Sequence, residues 1–186
     1  MSIYYPSSTC SGDEVPDYNC NPCPTYEYGR IRSLAFIKTS YVATVLLNPS
    51  NATVWSTGVN SGDIVVLWKV SGSYDGGTTT ELTGFGDSAT FNGNTTHIAT
   101  VNDPNYLENC DFYNAIRNSE EYTIAYRTSS AVHIAETPVT ISPKNPVADD
   151  INSVVTWNLT LKWTNAESPC PNTTPVGIFD RCYINA

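Results

Sequence analysis

Long apolar runs are missing from this 186-residue sequence, and without about eighteen consecutive apolar residues a helical membrane span is excluded. Basic residues are scarce. Nine Lys and Arg face eighteen Asp and Glu, giving a formal charge of -9, a balance that opposes any surface built to grip nucleic-acid phosphates. The same acidity would suit a channel lining that lets DNA pass without sticking. Histidine is scarcer still: His97 and His133 are the whole complement. No GxSxG elbow, HExxH pair or kinase signature accompanies them, so no catalytic residue can be named and no cofactor is required. Both histidines lie in alternating stretches without an oriented partner, which points to structural imidazoles rather than a general base. The opening MSIYYPSSTCSGDEVPDYNC lacks a basic n-region and an apolar h-region. A secretory signal is therefore not expected, and the protein should stay in the cell that makes it or leave by lysis or assembly. An internal repeat is absent too, so one soluble domain is the expectation.

What the chain does contain is β periodicity. From Ser153 to Thr164, Val155, Trp157, Leu159, Leu161 and Trp163 alternate with Thr156, Asn158, Thr160, Lys162 and Thr164. Side chains on a strand point to opposite faces with period two, so this is a long strand with one buried and one polar face. Upstream, Arg30 to Ile37 reads as a strand, Tyr41 to Leu47 as a short helix with Ser40 as N-cap and Pro49 as stop, and Ser50 to Gly58 as a further helical turn or two carrying Trp55. Asp63 to Val70 is a β-branched strand, and SGSYDGGTTT, Ser71 to Thr80, is a loop with a DGG turn signal. Glu81 to Val101 reads as strands interrupted at Gly84–Phe85–Gly86, a bend rather than a phosphate loop because the third glycine, the helix and the lysine are lacking. Asp103 is expected to cap a helix over about residues 104–118, with Tyr106, Cys110, Tyr113 and Ile116 forming one buried stripe. Strands starting near Tyr122, Ala131 and Thr137 precede the closing one. The whole reads as mostly β: an antiparallel β sandwich or partly closed barrel with one principal helix and irregular Cys- and Pro-rich terminal arms. The organisation expected is an arm at 1–28, a core domain at 29–165 and a tail at 166–186.

Of six cysteines, Cys10, Cys20, Cys23, Cys170 and Cys182 lie near the two ends and Cys110 falls inside the expected helix. Cys20 and Cys23 form a CNPC knuckle, whose spacing lets two thiolates face one zinc ion. Cys10 and either Cys182 or Cys170 could complete a tetrahedral structural site. Disulfides formed after lysis and plain reduced thiols are the competing readings. A redox role does not fit, since the knuckle lies in a Pro-rich leader without a flanking strand or helix.

The segments GRIRSLAFI, SGSYDGG with the later GFG, DPNYLENCDFYNAI, YTIAYRT and TPVTISPKNPVADDINSVVTWNLTLKW together resemble small virion structural proteins of tailed phages of gut Bacteroidales, the crAss-like phages among them. The strand order is similar to that of a tail-tube-type sandwich. The resemblance implies a subunit that self-assembles into a tail tube or connector ring, or decorates the capsid. It implies partners that are further copies of itself and other head, connector or tail proteins, with assembly in the bacterial host cytoplasm and a final place in the virion. Independently of it, a tyrosine-rich arm and Thr-rich strand faces supply edges with which one subunit can augment another, and Met1 to Tyr28 and Ser71 to Gly86 are the expected interfaces. The aromatic richness fits an interface and a sandwich core equally well. Two other classes compete. A carbohydrate-binding β sandwich would use Trp55, Trp68 and Ser71 to Gly77 as its platform, and a hydrolase would use carboxylates scattered in sequence.

Overall fold

The computed structural model describes residues 26–84, 90–117, 119–147 and 149–181. They form a mostly β structure of two antiparallel sheets that remain open, a β-sandwich-like fold. One sheet has the order β10 (Pro171–Thr173), β7 (Ala131–Ile134), β6 (Tyr122–Arg127), β1 (Ser33–Lys38), β2 (Ile64–Leu67). The other has β3 (Ser71–Tyr74), β5 (Thr90–Asp103), β9 (Trp157–Asn165), β8 (Thr140–Lys144), with β4 (Thr78–Thr83) also paired to β5. Backbone bonds Ile31 N to Gly72 O (2.9 Å) and Gly72 N to Ile31 O (3.2 Å) tie the two sheets at one corner.

The layers follow from the side-chain pattern. In β9, Trp157, Leu159, Leu161 and Trp163 are buried between the sheets, while Lys162 and Thr164 face water. Val155 and Thr156 precede the strand, which starts at Trp157 rather than Ser153. Leu34, Phe36, Ile124 and Tyr126 of the first sheet meet this face. Strands β1 and β6 are buried on both faces, which their nearly unbroken apolar runs require. Their second face, with Ala35, Ile37 and Ala125, packs under α1 (Thr39–Leu47) and α2 (Ala52–Ser61).

Helix signals were honoured unevenly. Asn51 caps α2, its Oδ1 accepting from Thr53 N at 2.9 Å, and Gly62 ends it at φ +76°. For α1 the capping residue is Lys38 rather than Ser40, and no side-chain cap bond forms. The helix expected over 104–118 shrinks to α3 (Cys110–Ile116), the shortest of the three helices among the described residues rather than the principal one. Asp103 ends β5 instead of capping a helix: its carboxylate accepts from Asn105 N (3.0 Å) and from the Tyr113 hydroxyl (2.5 Å). The Tyr106 carbonyl is meanwhile taken by the Trp157 indole N–H at 3.0 Å. Tyr113 and Ile116 are buried as expected, whereas Cys110 is exposed. Burial, with the hydrogen bond to Asp103 second, raises the Tyr113 hydroxyl far above the ordinary tyrosine range and keeps it a donor.

Of the segment read as a tail, residues 171–179 pack on the fold. Strand β10 extends the helix-covered sheet, and Ile178 and Phe179 are buried, Phe179 against Trp55 with ring centres 5.2 Å apart.

Candidate functional site

Among the described residues, what stands out is a hairpin. SGSYDGGTTT is not a loop. Its two ends are strands β3 and β4, which run along β5 as one edge broken at Asp75–Gly76–Gly77. Tyr74 pairs with Ala99 and Thr78 with Thr96, so three residues oppose two and the edge carries a β-bulge. Asp75 Oδ1 closes it, accepting from Gly77 N (2.9 Å) and Ile98 N (3.0 Å), while Gly76 and Gly77 both adopt positive φ. Gly77 also makes room: a Cβ there would lie 2.5 Å from His97 Nδ1.

Beyond the bulge β4 and β5 leave the sandwich. The last pair of β5 with β9 is Thr95 with Asn165, whereas β4 continues against β5 to the pair Thr83 with Thr90. All six residues of β4 are exposed. Three other edges are guarded among the described residues: β8 contains Pro143, β10 has three residues, and β3 is met by Ile31. Strand β4, TTTELT, has no proline and is interrupted by a register shift between Thr79 and Glu81.

At the root of the arm, Glu27 reaches the turn between β6 and β7. Its carboxylate accepts from the Ser130 and Thr128 hydroxyls and from the N–H groups of Ser129 and Ser130, at 2.5 to 2.7 Å. These bonds, the Ser130 hydroxyl foremost, hold its pKa at about 2 instead of 4.5. The folded value is depressed, so the clasp is present above pH 4.5 and fades as pH falls towards 2. Hydrogen exchange should show the Ser129 and Ser130 amides losing protection across that window, and Glu27→Ala should abolish the protection at every pH.

Both histidines are structural. His97 is fully buried, with Nδ1 2.7 Å from the Tyr74 hydroxyl and Nε2 3.3 Å from the Asn165 carbonyl. A carbonyl only accepts, so Nε2 carries the hydrogen and Nδ1 accepts from Tyr74. His133 Nδ1 donates to the Pro169 carbonyl at 3.0 Å. Its ring stacks on Tyr126, which meets Tyr74, which in turn stacks on Trp163. This column joins the sheets. Burial raises the Tyr74 and Tyr126 hydroxyls above the ordinary tyrosine range.

The sugar platform does not assemble as expected. Trp55 is fully buried, its Nε1 donating to Pro49 O at 2.8 Å, and Ser71 to Gly77 is strand and bulge. The Trp68 ring carries Lys69 Nζ 4.1 Å from its centre. Cys10, Cys20, Cys23 and Cys182 lie outside the described residues, as does most of the arm; Cys170 and Cys110 are free and exposed. Among the described residues no group of three or more His, Cys, Asp or Glu is placed to hold a metal ion, and no helix is long and apolar enough to cross a membrane. No protein-family model matches the chain, and no curated protein or solved structure matches it.

Proposed function

We propose that this chain is a structural subunit of a tailed-phage virion, self-assembling into a tail tube or connector ring. The observation that carries the reading is the β4–β5 hairpin, which leaves the sandwich with a polar edge exposed along all six residues of β4. A two-stranded ribbon is marginal on its own and gains stability when another strand completes it. A copy of the same subunit is the natural source, because repeated head-to-tail pairing closes into rings or stacks into tubes. The partners are further copies and other virion proteins. Capsid decoration is the alternative within the same particle.

Light scattering and electron microscopy of the purified protein test the reading. Rings, tubes or a defined oligomer are expected, and a strict monomer at high concentration would remove the tube and ring. The hairpin's part is tested by Thr80→Lys with Leu82→Lys, both in the exposed strand. These charges should reduce the assembly to monomers with a stability change within about 0.5 kcal/mol. Unchanged assembly would place the interface elsewhere.

A further inference from the structure

In a chain of charge -9, four of the nine basic residues line one groove: Arg30, Arg32, Lys69 and Arg127. The groove has a volume of about 620 Å³ and draws on separate segments of the chain. Asp180 also lines it and pairs with Arg127, leaving three cations in excess. Arg127 Nε is buried with no hydrogen-bond partner among the described residues. Arg30, at φ 117°, and Lys69, at φ 59°, are the two non-glycine residues of positive φ among those described. Such backbone is costly, and here it places two cations on one surface.

The complementary charge is in the same sequence. Residues 1–25 contain Asp13, Glu14 and Asp17 and no Lys or Arg, so the segment carries three negative side chains against the groove's excess of three positive ones. This segment joins the described chain at Tyr26, four residues before Arg30, so in an assembly every groove lies beside the root of an acidic arm. We propose that the groove binds the acidic stretch Asp13–Asp17 of a neighbouring copy. The contact rests on the assembly reading above, and it would set the order of subunits through charge.

Two full-length variants test it, both checked for an unchanged circular dichroism spectrum. One reverses the groove, Arg32→Glu with Lys69→Glu, at exposed positions. The other reverses the arm, Asp13→Lys, Glu14→Lys and Asp17→Lys. Alone, each should show a lower mass by light scattering than the native chain. Mixed in equal amounts, the intact arm of the first fits the intact groove of the second, so a one-to-one complex of doubled mass should form and dissolve at high salt. Absence of that complex overturns the proposal. If both variants keep the native oligomer's mass and do not mix, the arm contact falls while the assembly reading stands. If the native chain is a monomer at high concentration, the contact between copies falls together with the tube or ring.

Discussion

Replacing Trp157 by alanine is expected to destabilise the fold by about 3 to 5 kcal/mol in a urea titration. The indole is 2 % exposed and packs on Tyr113 with ring centres 4.8 Å apart. Its N–H fixes the Tyr106 carbonyl, so alanine leaves both a cavity and an unmet acceptor between β9 and the turn before α3. Trp157→Phe refills most of the space and loses the hydrogen bond, which should cost about 0.5 to 1.5 kcal/mol beyond the smaller ring's packing loss. A near-neutral Trp157→Ala would mean that β9 turns its other face to the core.

Gly77→Ala carries the second large effect, about 2 to 4 kcal/mol. About 1 kcal/mol is the backbone cost of a side chain at φ +86°, and the rest is collision with the buried His97 ring and with Thr95. Gly76 is the matched control. Its φ is +85°, yet an added Cβ would meet nothing within 4 Å, so Gly76→Ala should cost only the backbone share. Equal costs at the two sites, measured by urea unfolding, would show that the His97 ring does not fill the space beside Gly77.

The same bulge shows where a sequence can be read and where it cannot. Strand β9 is legible because water lies on one face and the core on the other, which imprints period two on Trp157 to Thr164. Strand β4 buries neither face, so TTTELT has no apolar period and is indistinguishable from a loop. The spacing of Tyr106, Cys110, Tyr113 and Ile116 is genuinely helical, yet the Asp103 and Trp157 bonds hold the first part of that stretch as a turn. Local pattern proposed a helix, and tertiary contacts removed half of it. Ile178 and Phe179 are a lone apolar pair within a Pro- and Cys-rich stretch, too short to carry a period, though both reach the core. The basic groove is illegible for another reason: its cations come from segments far apart in sequence, and the Ile31–Gly72 corner together with the pairing of β1 and β6 brings them together.

The two imidazoles hold successive carbonyls of one crossover, Asn165 and Pro169, between the last long strand and β10. A pull applied at Asp180 would first load its pair with Arg127 and draw Phe179 from its socket beside Trp55, then peel three-residue β10 from its edge, then reach the His133 bond, and only afterwards load β9. Residues 166–181 would thus yield in small steps while the sandwich stays shut.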